Sequence, residues 1–174
     1  RLPQDSRITA YGNGYFVAVG PLGDIYATDD PLNPWVECNQ AYNRNDFGGT
    51  NMVTFHNGLF IGFVYDLRNT NDFYCVSSAN PTAVWNMAPM INPARSPLAT
   101  ANIFHFNGCY YIFTTYGPYN SGAIIFSSDS PIGRWRVMEQ IPPGALRFWG
   151  NTPTATDGTS IIVSYFNWMV RFKK

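Results

Sequence analysis

Few residues in this chain can do acid–base or nucleophilic chemistry, and their placement limits them further. Glu37 and Glu139 are the only glutamates. Asp66 and Asp72 flank a short stretch rich in Asn and Thr. That spacing suits a carboxylate pair for proton transfer or two oxygen donors for calcium, and equally suits two solvated loop acids. His56 and His105 each stand one or two residues before an Asn-Gly dipeptide. No candidate nucleophile lies near either, so both read as ordinary strand residues. Cys38, Cys75 and Cys109 cannot all pair with one another, and no C-x-x-C occurs. Three scattered thiols and two histidines give no zinc spacing, and the cysteines read as small buried hydrophobes. No G-x-S-x-G, phosphate-cradling glycine loop or H-E-x-x-H is present. Neither a metal nor a cofactor is expected.

The composition narrows the classes that remain. At 174 residues the chain supports one full core and not two comfortable domains. Hydrophobic residues make up 45% and aromatics 17%, with only 13% charged, which excludes a disordered chain. Basic and acidic residues balance at 11 each. A protein that neutralises many phosphates needs a basic excess, so nucleic acid is not an expected partner. No run of 18 apolar residues occurs, so no membrane-spanning helix is expected. Lysine occurs only at Lys173 and Lys174. Surfaces made of amides and hydroxyls in place of Lys and Glu accompany extracellular and virion β-proteins, which sets the expected location.

The elements that must position any site come from two repeating markers. The first is a tight-turn dipeptide: Asn13-Gly14, Asn57-Gly58, Asn107-Gly108 and Asp157-Gly158. Asn-Gly and Asp-Gly accept the positive φ angles of a type I′ turn, so each predicts a two-residue hairpin between β-branched and aromatic runs. The second is a hydroxyl residue with Pro three later and Trp four after that. It occurs as Thr28/Pro31/Trp35, Ser78/Pro81/Trp85 and Ser128/Pro131/Trp135. Each Trp precedes the next turn glycine by 23 residues, as in Trp35 to Gly58. The distance from turn glycine to Trp is six residues shorter in the first unit, a difference expected in the loop between the second and third strands. No segment shows an apolar stripe at helical period. The expectation is an all-β fold, a β-propeller of four-stranded meander blades over about 7–43, 51–92, 101–142 and 151–174 in one domain. The last unit stops before a fourth strand, which a missing segment of a longer polypeptide or another chain would supply. Excision from a longer propeller is the favoured expectation, because Arg1 opens inside an interblade connection.

These units resemble two propeller families. Ser127, Asp129 and Trp135 are similar to the turn of Asp-box (BNR-type, sialidase-like) repeats, with Pro131 where that family has Gly. Pro31 and Pro81 share that departure, Asp29 occupies the acidic position in the first unit, and Ala79 replaces the acid in the second. The resemblance implies a structural turn in which carboxylate and hydroxyl bind turn amides while Trp packs between strands. The third unit, IFHFNGCYYIFTTY followed by IIFSSDSPIGRW, also resembles five-bladed arabinanase and xylosidase-type glycosidases. That family needs an Asp base, a second Asp and a Glu acid at the axis. Where its acid belongs, this chain reads Ala99-Thr100-Ala101, and only Asp5 falls where a base sits. The resemblance therefore implies the fold and not the chemistry.

In such a meander the hairpins and hydroxyl-Pro-Trp turns share one face, and the remaining loops share the other. The second face gathers Tyr42, Arg44 and Asp46; Tyr65, Asp66 and Arg68; Tyr116, Tyr119 and Asn120; and Arg147 with Trp149. Aromatic rings beside Arg, Asp and Asn suit sugar recognition, with core-edge packing as the alternative. The resulting expectation is a non-enzymatic extracellular or virion-borne module, such as part of a phage tail, that binds a glycan or cell-surface receptor. A glycoside hydrolase fragment with its acids elsewhere and a purely structural virion component are the other two readings.

Overall fold

Runs of β-branched and aromatic residues between tight turns form an antiparallel β-structure in the computed structural model. It describes residues 1–21, 23–38, 43, 46–48, 52–69, 71–94, 98–117, 121–144, 154–156, 160–165 and 168–173. The first sheet runs β1 (Arg7–Gly12), β2 (Tyr15–Val19), β3 (Ile25–Thr28) and β4 (Val36–Glu37) in chain order. The second contains β5 (Phe47–Gly48), β6 (Thr54–His56), β7 (Leu59–Asp66), β8 (Phe73–Ser78) and β9 (Asn86–Met90). The third is β10 (Leu98–Phe106), β11 (Cys109–Tyr116), β12 (Gly122–Ser128) and β13 (Arg136–Ile141). The fourth has β14 (Thr154–Thr156), β15 (Ser160–Tyr165) and β16 (Trp168–Lys173). The first strands of successive sheets meet in sequence, β1 against β6, β6 against β10 and β10 against β14. The fold is a β-propeller, seen here as consecutive blades around an axis, and the described residues contain no helix.

Both faces of a blade are buried, and strand alternation sends neighbouring residues to opposite seams. In β7, Phe60 and Val64 join Val17, Val19 and Ala27 of the first blade. Ile61 and Phe63 join Ile103, Ile112 and Phe126 of the third. In β11, Tyr110 and Ile112 face the second blade, while Tyr111 and Phe113 face the far side. These strands therefore read as nearly unbroken apolar runs.

The turns that close the strands follow from local chemistry. Asn13, Asn57 and Asn107 have φ of 46°, 50° and 48°, each followed by a glycine at 76–80°. This is the left-handed pair a type I′ hairpin requires. The Asp157-Gly158 turn lies outside the described residues. In the hydroxyl-Pro-Trp turns, Thr28, Ser78 and Ser128 each donate Oγ to the carbonyl two residues on, at 2.8 Å. Trp85 and Trp135 donate Nε1 to the carbonyls of Pro81 and Pro131 at 3.1 and 3.2 Å, and both rings are buried. Each ring fills the seam toward the preceding blade. By the same alternation Trp35 faces away from the second blade. It is half-buried with its Nε1 unpartnered, and Tyr11 and Ile8 are exposed.

Two expectations need correction. The acidic position of the turn does not bind the turn amides. Asp30 and Asn80, one residue later, accept from Leu32 N at 2.9 Å and Thr82 N at 3.0 Å. Asp29 instead meets Asn33 Nδ2, and Asp129 accepts from Cys109 Sγ at 3.4 Å. The reason is reach, since a side chain just before proline forms an Asx turn with the amide two residues on. The six extra residues of the later units also lie mainly in strands. β2 has five residues where β7 and β11 have eight, and β3 has four where β8 and β12 have six and seven. Lengthening both arms of an antiparallel ladder preserves its register, so the connecting loops stay five or six residues long.

The second sheet also starts before residue 51. Three-residue β6 covers only the near end of long β7, and β5 pairs with Tyr65 and Asp66 at the far end. β5 thus covers the edge of β7 that β6 leaves open.

Candidate functional site

The loop face of the second blade holds a cross-linked polar knot, and the long β7 ladder puts it there. Asp66 is the last residue of β7 and only 9% exposed. Its Oδ1 accepts from the Arg68 amide at 2.8 Å and from Arg68 Nε at 3.2 Å, while Oδ2 accepts from Nη2 at 3.3 Å. This two-pronged grip is the natural fit of a guanidinium to a carboxylate. Arg68 Nη1 also lies 3.7 Å from Asp46 Oδ1, so one guanidinium joins two aspartates from separate chain segments. Asn43 Nδ2 donates to Asp46 Oδ2 at 2.7 Å, and the Leu67 amide donates to the Asp46 carbonyl at 2.8 Å. Asp72 accepts from Asn69 Nδ2 at 2.9 Å, and its carbonyl accepts from the Asp66 amide.

The electrostatics follow from these bonds. The Arg68 side chain, then its backbone amide, hold the Asp66 carboxyl below the usual carboxylate range. Asp66 in turn raises the Arg68 guanidinium, with a smaller contribution from Asp46. A carboxylate kept ionised in this way is a poor proton donor. The knot can offer hydrogen bonds to hydroxyls and amides, and Asp66 itself is ill suited to general-acid work. Asp66 is thus neither half of a free acid pair nor a solvated loop acid, because Arg68 covers it. Glu37 and Glu139 lie in outermost strands β4 and β13, as their positions in the repeat imply. Among the described residues no group of three or more His, Cys, Asp or Glu is placed to hold a metal ion.

The aromatic residues expected beside the knot divide. Tyr65 is half-buried, pairs with Gly48 and rests on the core; a Cβ on Gly48 would fall inside its ring. Tyr116 is 5% exposed, belongs to the core between the second and third blades, and accepts from Gln140 Nε2 through its hydroxyl. Both rings therefore form the edge of the packing. Asp46, Asp66 and Arg68 are brought together. Tyr42, Arg44, Tyr119, Asn120, Arg147 and Trp149 lie outside the described residues. Asn43 was missed as a partner of Asp46, although an Asn three residues before an Asp in a turn-rich stretch is a usable signal.

The thiols divide in the same way. Burial pushes the Cys38 thiol up to about 12, with Glu37 adding to it, and burial alone raises fully enclosed Cys75. Both behave as hydrophobes. Cys109 is half-buried against Asp129, and all three are free.

Comparison with known proteins identifies the architecture. No family model matches the chain, and no curated sequence matches it. Among solved structures, the chain is similar to a GH43B protein from a Bacteroides ovatus xyloglucan locus, with a TM-score of 0.58 and 16% identity. That match covers 91% of this chain and 34% of the other. An α-L-arabinanase from Penicillium chrysogenum, complexed with arabinobiose, gives 0.56 and 12%, covering 93% of this chain and 56% of that one. A YCF48 structure bound to D1 peptide gives 0.59 and 14%, covering 99% and 54%. The chain thus spans between a third and three-fifths of the length of these structures. At such identities the shared property is the fold, and its class is the propeller found in these glycoside hydrolases and in YCF48.

Proposed function

We propose that this propeller is a binding module that recognises a glycan or cell-surface receptor through its loop face, in an extracellular or virion-borne setting. The observation that carries the reading is the Asp46–Arg68–Asp66 knot, in which the Arg68 side chain stays 69% exposed while two carboxylates fix its position. A preorganised donor fork beside acceptor oxygens matches the hydroxyl pattern of a sugar and spends little entropy on ordering. Similarity to the arabinobiose-bound arabinanase supports a carbohydrate ligand, and similarity to YCF48 bound to D1 peptide supports binding of a partner.

A second reading is favoured by the same glycosidase-like neighbours: a glycoside hydrolase segment whose catalytic acids lie outside these residues. A purely structural virion role predicts no glycan binding at all. A glycan array with the native chain, followed by Arg68→Ala, Tyr119→Ala and Trp149→Ala, separates these readings. Loss of the array signal in Arg68→Ala is the expected result. Unchanged binding by all three variants would remove the loop face from consideration. Release of reducing sugar would move the assignment to the hydrolase.

A further inference from the structure

The turn-face ends of the blade seams are built from one pair of positions each, and the middle seam departs from its neighbours. Gly12, His56 and Phe106 stand two residues before their turn glycines, while Tyr11, Phe55, His105 and Ala155 stand three before. Alternation points Gly12, His56 and Phe106 toward the following blade and Phe55 and His105 toward the preceding one. Between the first and second blades the pair is Gly12 with Phe55, packed so closely that a Cβ on Gly12 would fall within the Phe55 ring. At the corresponding positions of the third and fourth units the sequence carries Phe106 and Ala155. The Gly12–Phe55 pair joins a small residue to a large apolar one. Between the second and third blades the pair is His56 with His105, ring centroids 6.3 Å apart.

The bonds around this pair depend on which imidazole nitrogens carry protons. Asn57 Nδ2 and His105 Nε2 are 3.0 Å apart across the seam, joining the hairpin of the second blade to β10. His56 Nε2 and Thr54 Oγ1 are 3.0 Å apart on β6. A neutral His105 accepts from the Asn57 amide; an imidazolium has only donors there and loses that bond unless the amide turns over. The two rings use their Nε2 atoms toward different partners, so they do not converge on a shared metal. Around them, β7 places Leu59 opposite His56, and β11 contributes Tyr110, its ring 4.7 Å from His105. Among the described residues, no carboxylate, lysine or arginine is hydrogen-bonded or ion-paired to either ring.

We propose that His56 and His105 form an acid-sensitive latch, closed when neutral and loosened when both rings are protonated, that opens the turn-face end of the seam between the second and third blades. Imidazoles titrate between pH 5 and 8, so the latch responds to mild acidification. Desolvation lowers the His56 pKa; a hydrogen bond to the Ile103 backbone opposes that shift, and the nearby His105 adds to it, leaving the net direction downward. A histidine whose folded pKa lies below its unfolded value binds more protons when unfolded. Its contribution is complete above the unfolded value near 6.5 and declines as pH falls below it.

The test compares the intact protein with His56→Phe/His105→Ala, which installs the residues at the corresponding positions of the third and fourth units, and with His105→Gln, which keeps an amide against Asn57 without a titrating ring. Hydrogen exchange is followed at the amides of residues 54–60 and 102–111 at pH 7.5 and pH 5.0, after correction for intrinsic exchange rates. The native chain should open several-fold more often at pH 5.0 than at pH 7.5, because the open seam binds protons more readily than the closed one. Both variants should lose most of that increase. An equal increase in all three proteins would overturn the latch, and so would two histidine titrations in the native NMR spectrum that show no mutual coupling. If the double variant does not fold, His105→Gln and the NMR titration decide the matter alone.

Discussion

The turn face and the loop face cap the same strands, but only the turn face repeats. In three successive blades a hydroxyl from Thr28, Ser78 or Ser128 bridges to the carbonyl two residues on at 2.8 Å. Asn13 then ties the first hairpin to the second blade by donating to the carbonyls of Gly58 and Ala79 at 2.8 and 2.9 Å. Among the described residues the loop face shows no such period. In the second blade it builds a charged knot around Arg68, whereas in the third it turns Tyr116 inward onto Gln140. A face held by short-range bonds inside a recurring motif keeps its geometry. The opposite face is then free to vary, which is why the proposed ligand site is placed there.

This contrast can be broken at its strongest point first. Trp85→Ala should cost about 4 kcal/mol in denaturant titrations, because it empties a buried seam and removes the bond to Pro81. Trp35→Ala should cost clearly less, since that ring is half-buried and its Nε1 unpartnered. Equal losses would show that the two turns are not packed differently. Gly12→Ala should cost about 2 kcal/mol, as its new methyl group displaces the Phe55 ring from the seam. Ser128→Ala should lower stability by about 1 kcal/mol, for the loss of one turn hydrogen bond.

The loop face should respond in the opposite sense. Arg68→Ala should lower the thermal midpoint modestly at pH 7, far less than Trp85→Ala does, while weakening glycan binding about tenfold or more. Its signature is pH-dependent. Asp66 has a folded pKa below its unfolded value, so its contribution is present above the ordinary carboxylate range and is lost as pH falls through the lowered value. The stability gap between native and Arg68→Ala proteins should therefore narrow between pH 5 and pH 2. A gap that stays constant would mean that Arg68 does not act through the Asp66 carboxylate.

Much of the architecture was legible because its causes are local. Asn-Gly dipeptides demand positive φ, and Asn13, Asn57 and Asn107 adopt it. The spacing from Trp to the next glycine located the blades, and the apolar runs matched strands buried on both sides. The placement of length was not legible. Residues added to both arms of a hairpin and residues added to its loop give the same count, and only pairing in β7 and β8 distinguishes them. The role of the turn acids was misread for a similar reason. A motif shows which side chains are near, while backbone geometry selects Asp30 and Asn80 over Asp29 and Ala79.

The site divides along the same line. Residue types indicated that Asp46, Tyr65, Asp66, Arg68 and Tyr116 share one face. Tertiary structure decided that Asp46 and Asp66 share one guanidinium and that the two tyrosines serve the core. The sequence by itself determined the period, the turns and the strand faces, because each depends on a few neighbouring residues and the fixed geometry of the chain. The meeting of His56 with His105, and of Arg68 with Asp46, required the blades and loops to be set side by side. Such contacts depend on packing across seams and between distant segments, and no local pattern encodes them.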